Sequence, residues 1–469
     1  MKSEITAIIA SYLEIHRQRM LDELCDLLRI PSVSADSKHR DDVRSAAQWL
    51  MERISELGLE PELWETRGHP VVFAEHFVDK NLPTLLMYGH YDVQPPDPLE
   101  LWDTPPFEPT IKTTSIHPEG AIFARGACDD KGQMYMHIKA LEVLKAQGGG
   151  LPCNIKLLIE GEEEVGSAHL AETIQEHRNR LDCDLVLISD TDMISRELPS
   201  ICVGLRGLSY LEVRVDGPSR DLHSGMYGGA VDNPANVLAR MIAKLHDDQG
   251  RIAIPGFYDE VAELSQQERA ALSRAPFNEN EYRESIGLSA VFGEAGYSVP
   301  ERVSIRPSLD VNGMWSGYTG EGAKTVLPAT AHAKISMRLV PDQNPRKLTE
   351  LCANYLKQIA PPTVKVTITP HHGGMPYVAP LDTPAYQAAS EAMQMTFGIE
   401  PVPVRGGGSI PIVPLFEELL GAKSLLMGFG LASDAIHSPN EHYGVFNFFK
   451  GIETLSVFIN QYSTSSERA

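Results

Sequence analysis

The sequence predicts an α/β protein in which a mostly parallel sheet, with helices on both faces, is interrupted by an inserted α+β domain. Shifts in strand texture predict it. Between about residues 71 and 190 the candidate strands TLLMYG, IKLLI and DLVLIS are near-continuous apolar runs, separated by helical patterns such as QMYMHIKALEVLKAQGGG. Strands of that kind are buried on both faces, as in a parallel sheet covered by helices. From about 205 to 375 the strands alternate instead: YLEVRVDG sets Leu211, Val213 and Val215 on one face, AKISMRLV does so with Ala333, Ile335, Met337 and Leu339, and TVKVTI with Val364, Val366 and Ile368. One face of such a sheet is wet. After about 376 the continuous apolar texture returns in KSLLMGFG, which divides the chain into 1–204, an insertion over 205–376, and 377–469.

The elements follow in order. The first stretch, MKSEITAIIASYLEIHRQRMLDELCDLLRIPSVS, spaces its apolar residues as a helix does and is broken by Glu and Arg. It has neither the apolar core nor the cleavage site of a signal peptide. Within the insertion, NPANVLARMIAKLHDD places Pro234 to start a helix whose stripe of Leu238, Met241, Ile242 and Leu245 covers the dry face of the alternating strands. A length of 469 residues also exceeds what one core usually supports.

Composition excludes several classes of partner. Lys plus Arg number 41 against 63 Asp plus Glu, a formal charge of -22, which argues against a nucleic-acid backbone or an anionic membrane surface. No apolar run is long enough to span a bilayer. The 6 cysteines are scattered without a Cys-x-x-Cys pair, as expected of reduced thiols in the cytoplasm.

Acidic and imidazole residues gather where the buried strands end. EGEEEVGS crowds Glu160, Glu162, Glu163 and Glu164 directly after NIKLLI; GHYDVQP supplies His90 and Asp92; ARGACDDKG supplies Asp129 and Asp130; LVLISDTD ends in Asp190 and Asp192; and LASDAIHSPNEH supplies Asp434 and His437. Taken singly, EGEEEVGS reads as a solvated loop and His90 as a hydrogen-bonded core histidine. In a doubly wound sheet, however, the carboxyl ends of the strands line one crevice, so these segments converge. Crowded carboxylates need protons or cations between them. Two imidazoles with several carboxylates and no required thiolate suit zinc first, with manganese or cobalt as alternatives. The surplus of acids fits a pair of cations bridged by one carboxylate.

The segments GHYDVQP, ARGACDDKG, EGEEEVGS, ISD, DLHSG, GGGSIP and IHSPNEH stand in the order found in the two-metal aminoacylase, carboxypeptidase and dipeptidase superfamily. The chain most resembles its carnosinase-type cytosolic metallodipeptidases, from LLRIPSVS to about residue 457. The resemblance implies that His90, Asp129 and Asp190 hold one metal and that Asp129, Glu164 and His437 hold the other. It implies that Glu163 is the general base, taking a proton from the attacking water and passing it to the leaving amine, and that Asp92 orients His90. It also implies that the peptide bond between Asp129 and Asp130 is cis. In the family the inserted domain is a lid that mediates dimerisation, and the histidine matching His223 in DLHSG reaches the partner subunit's site to stabilise an oxyanion. GAKTVLP, ISMRLVP, PHHGGMP and GGGSIP match substrate-binding stretches and point to Thr325, Arg338, His372 and Ser409. Glu162 is assigned no role and is read as an exposed loop acid. The implied activity is metal-dependent hydrolysis of dipeptides. The alternatives are an N-acyl-amino-acid deacylase or carboxypeptidase of the same superfamily, and a non-catalytic metal- or peptide-binding protein.

Overall fold

The computed structural model describes residues 2–408 and 410–465. The chain forms two compact units, one made of Met1–Val203, Ala379–Val404 and Leu415–Ala469, the other of Gly204–Val378 with Arg405–Pro414.

In the first unit the sheet runs in the order Glu60–Trp64, Val71–His76, Asn154–Glu160, Thr84–His90, Leu185–Ile188, Lys423–Leu426 and Ser200–Leu205. The central run from Asn154–Glu160 to Lys423–Leu426 is parallel. Antiparallel strands flank it on both sides, so the expected parallel sheet is the centre of a mixed one. The central strands are the continuous apolar runs of the sequence, and residues 85–90 and 185–188 are buried throughout.

Helices cover both faces. Val72, Ala74, Leu85, Met87, Ile155, Leu157, Leu185 and Leu187 share one core with the helices Lys2–Leu28, Arg40–Glu56, Lys131–Ala146, Pro384–Phe397 and Val445–Ser465. On the other face Phe73 stacks on Trp64 with ring centroids 4.2 Å apart, and Trp64 on His177 at 3.8 Å, at the end of the Leu170–Glu176 helix. Tyr88 meets Phe416 edge-on at 5.3 Å. The Lys131–Ala146 helix is buried almost all round, which explains why its sequence shows no polar stripe. Its first residue, the buried Lys131, donates to the carbonyls of Leu27 and Ile30 and so caps the end of the N-terminal helix. A small antiparallel sheet joins Thr110–Lys112, Ala121–Phe123 and His442–Gly444.

The second unit has an antiparallel sheet ordered Ser308–Ser316, Thr330–Leu339, Gly207–Asp216 and Lys365–Gly374. Its register sets Leu211 opposite Ile335, Val213 opposite Ala333 and Val215 opposite Ala331. Those side chains are fully buried, because the alternation puts all of them on the face that the helices Pro234–Ala243 and Pro345–Ile359 cover. Asn233 and Asn344 start these helices, each accepting a hydrogen bond from a backbone N–H of the first turn, with proline following as the helix geometry favours. Among the described residues no helix is long and apolar enough to cross a membrane. None of the six cysteines is in a disulfide.

Candidate metal centre

Strand register explains why distant residues meet. His90 stands opposite Glu160, Tyr88 opposite Ile188, and Ile188 opposite Leu426, so the parallel strands finish at one edge. The chain leaves that edge through His90, Glu162 to Glu164, Asp190 and the loop carrying His437. Gly89 lets His90 approach the next layer, since a side-chain carbon there would come within 2.8 Å of an Asp130 oxygen.

Two groups of ligand-type side chains form around Asp129: His90, Asp129 and Asp190, and Asp129, Glu164 and His437, with all ligand atoms of each group within 4.8 Å of one another. His90 Nε2 lies 3.2 Å from Asp129 Oδ1 and 4.0 Å from Asp190 Oδ2. His437 Nε2 lies 2.8 Å from Asp129 Oδ2 and 3.3 Å from Glu164 Oε2. Donor atoms of one tetrahedral ion, bonded at about 2.0–2.2 Å, stand about 3.3 Å apart. The buried His90 Nε2 makes no hydrogen bond. Nitrogen and oxygen donors at this spacing, with an orphaned imidazole nitrogen among them, fit divalent cations.

Neighbouring groups hold this arrangement. His90 Nδ1 faces the Asp92 carbonyl at 3.1 Å and Asp92 Oδ1 at 3.3 Å, turning Nε2 toward the carboxylates. Asp92 is fully buried, and its two oxygens accept the backbone N–H groups of Glu163 and Glu164. Gln94 donates to Glu164 Oε2 at 2.8 Å. Asp130 Oδ2 accepts from the His90 backbone at 3.1 Å, and the Asp129–Asp130 bond is cis, as the resemblance implied. Glu441 is buried beside Arg125, which donates to it at 2.8 Å, and its carboxylate also accepts the N–H groups of Gly126, Cys128 and Asp129. Neither Asp130 nor Glu441 received a positioning role from the sequence. Asp130 had only the signal of standing next to a candidate ligand, and Glu441 that of lying inside IHSPNEH.

Charge is in balance only between partners. Burial pushes His90 down, but Asp129 and Asp92 outweigh it and hold the imidazole well above its usual value. His437 is raised to about 10 by Asp129 and Glu164. Asp129, although desolvated, is held below the usual range by His437 and His90. Asp190 goes the other way, to about 7, through burial and the adjacent Asp129 charge. Burial, opposed by His90 and reinforced by Asp190 and Glu164, puts Glu163 well above the usual carboxylate range.

One expectation is corrected. Glu162 is not an exposed loop acid: it is 7% exposed, and its Oε2 lies 2.9 Å from His169 Nδ1, so a partner offsets the burial of its charge.

The remaining candidates lie in the second unit. His223 is exposed, pairs with Val326 across a two-stranded ribbon, and accepts the Gly225 N–H at Nδ1. Thr325 immediately precedes the ribbon strand Val326–Leu327, its carbonyl accepting the Ser224 N–H at 3.1 Å. Arg338 is partly buried on Thr330–Leu339, and His372 lies on the Lys365–Gly374 strand. Ser409 lies outside the described residues.

Known proteins share this arrangement of chain. The model of Peptidase family M20/M25/M40 matches residues 86–461. The Cys-Gly metallodipeptidase DUG1 of Saccharomyces cerevisiae is 32% identical, covering 96% of this chain and 97% of that protein. The human Beta-Ala-His dipeptidase is 32% identical over 92% of this chain and 84% of its own length. Among solved structures, the M20 family metallo-carboxypeptidase Sso-CP2 of Sulfolobus solfataricus superposes with a TM-score of 0.84 at 33% identity, covering 95% of this chain and 99% of that one. With the fold, the clustered ligand-type residues and full-length dipeptidase relatives in agreement, the chain belongs to Peptidase family M20/M25/M40 and is a metallopeptidase of the dipeptidase kind.

Proposed function

We propose that the chain hydrolyses the amide bond between an N-terminal residue and a free C-terminal amino acid with two divalent cations. Zinc is the first choice and manganese or cobalt the alternative. His90, Asp129 and Asp190 hold one cation and Asp129, Glu164 and His437 the other. The observation that carries this reading is Asp129, whose two oxygens face different imidazoles at 3.2 and 2.8 Å, as a bridging carboxylate must. Cations held in this way polarise the scissile carbonyl and make water acidic enough to react near neutral pH.

The side chains divide the remaining work. Glu163 adjoins the ligand Glu164, and its raised pKa suits a group that takes a proton from the attacking water and returns it to the leaving nitrogen. Asp92 fixes His90 and the Glu163–Glu164 turn together. His223, exposed on the second unit, donates to the oxyanion in a partner subunit's site, which requires a homodimer built through the inserted lid over 205–376. Arg338 offers a planar two-donor fork for the substrate's terminal carboxylate, with Thr325, His372 and Ser409 completing the contacts. Free thiols and the excess of acidic residues fit a cytoplasmic enzyme.

The test is turnover of Cys-Gly, β-Ala-His, their N-acetylated forms and a longer peptide, with metals restored one at a time to stripped protein. Hydrolysis of the free dipeptides, lost on N-acetylation, is the expected result. Equal turnover of the acetylated forms replaces this reading with a deacylase. Release of the last residue of the longer peptide replaces it with a carboxypeptidase, a reading favoured by the likeness to Sso-CP2. Bound metal without turnover across the panel leaves a binding protein.

A further inference from the structure

A second set of ligand-type side chains lies in the first unit and shares no residue with the groups around Asp129: His117, Asp434 and His442, again with ligand atoms within 4.8 Å of one another. Three separate segments deliver them. His117 sits in the turn between Thr110–Lys112 and Ala121–Phe123, His442 opens the strand paired to that hairpin, and Asp434 lies in the loop that leads to His437. His117 Nε2 is 3.3 Å from Asp434 Oδ1, and His442 Nε2 is 3.8 Å from the same oxygen. The first equals the separation of about 3.3 Å expected for donors sharing a tetrahedral ion, and the second exceeds it by about half an ångström. His117 and Asp434 are fully buried, while the His442 side chain keeps 13% exposure, which leaves a way in for an ion and a water.

The polar contacts around the three side chains are compatible with a cation at the centre. His442 Nδ1 lies 2.9 Å from the Asn440 carbonyl, which can only accept, so Nδ1 carries the proton and the Nε2 lone pair turns toward Asp434. His117 Nδ1 is buried without a partner, and so is Asn447 Oδ1. Both come within 2.4 Å of the point where a side-chain carbon on Gly444 would stand. His117 Nε2 is within hydrogen-bond distance of Asp434 Oδ1; the tautomer with its proton on Nδ1, the atom buried without a partner, instead turns the Nε2 lone pair toward Asp434. In that tautomer two imidazole lone pairs and a carboxylate oxygen face one another, an arrangement that a cation between them stabilises. The rings are also held as ligands are: His442 stacks on Phe123 with centroids 4.5 Å apart, and His117 meets His442 edge-on at 5.6 Å. Asp434 is fixed through its other oxygen, which accepts the Leu431 N–H at 2.9 Å.

We infer that His117, Asp434 and His442 form an additional zinc-type cation site that pins the His437 loop to the small three-stranded sheet. Two neutral imidazoles and one carboxylate are a borderline nitrogen and oxygen set that suits zinc over calcium or magnesium. The experiment uses the full-length protein, stripped by chelation, reloaded with Zn²⁺, desalted and counted by elemental analysis. His117→Gln and His442→Gln are each expected to bind one zinc fewer per chain than wild type. Asp129→Ala is expected to retain the zinc that either glutamine substitution then removes. In that Asp129→Ala background, Co²⁺ should show the intense visible absorption of a tetrahedral site, and His442→Gln should abolish it. The inference is overturned if correctly folded His117→Gln and His442→Gln, checked by circular dichroism, bind as much zinc as wild type. A count that differs from expectation around Asp129 but still drops by one in these variants overturns the two-cation reading of the main centre and leaves this one standing.

Discussion

Glu163 and Glu164 are neighbours in sequence, yet their carboxylates serve different partners. Glu164 lies against His437 and Gln94, whereas Glu163 is desolvated beside Asp190 and Glu164. Glu163→Gln is expected to keep fold and metal content while lowering kcat by about 10²-fold or more, because positioned proton transfer contributes about 10²- to 10⁴-fold; near-normal kcat in metal-replete protein removes Glu163 from the role. Asp129→Ala should lower the affinity for both cations of its centre together, and titration showing one of them bound with wild-type affinity refutes the bridge. His437 adds a pH dependence. In the metal-free protein its pKa is raised from 6.5 to about 10, so its stabilising contacts are complete below about 6.5 and are lost as pH rises through about 10. Metal must displace that proton. Zinc loading at pH 8 should therefore release protons, and affinity should rise with pH across this window; calorimetry in buffers of different ionisation enthalpy showing no proton release would disprove it.

The elements that carry these residues are held by buried polar anchors as well as by packing. Arg125 and Glu441 are 1% and 0% exposed as side chains, and Glu441 collects three backbone N–H groups of the turn that delivers Asp129. Neutralising one member of such a pair leaves the other charged and buried, at a cost of about 3–5 kcal/mol. Glu441→Gln should lower the denaturant midpoint accordingly and weaken metal binding; an unchanged midpoint would show that the turn does not depend on the pair. Much at this scale was legible. Pro234 and the stripe from Leu238 to Leu245 gave a helix on the right face, and the alternation in YLEVRVDG and AKISMRLV gave the paired strands. The antiparallel edge strands were not legible, because strand direction depends on connections between segments and an apolar run reads the same either way. The burial of Glu162 was missed for a similar reason: its partner His169 lies in the next turn, and a run of acids carries no mark of which member turns inward.

At the scale of the whole molecule, the proposed role of His223 makes the dimer the catalytic unit. If it acts in a partner subunit's site, inactive Glu163→Gln and inactive His223→Ala chains should complement each other when mixed. Each mixed dimer then holds one site with both groups intact, and statistical redistribution restores roughly a quarter of wild-type activity per total site by two-fold symmetry. No recovery after verified subunit exchange would confine His223 to its own subunit or to no catalytic role.

The sequence by itself determined the strand textures, the helix stripes and the order of the acidic and imidazole motifs, since burial on one face or two is written in local periodicity, and the motif order was enough to mark the family. The tertiary structure decided which of those polar groups meet. Parallel register brought the strand ends to one edge, which set His90 and His437 on opposite oxygens of Asp129. The small antiparallel sheet and the loop beside it gathered His117, Asp434 and His442, which no motif had joined. Convergence of this kind is fixed by how distant strands and turns pack, and local spacing carries no information about a neighbour that lies hundreds of residues away.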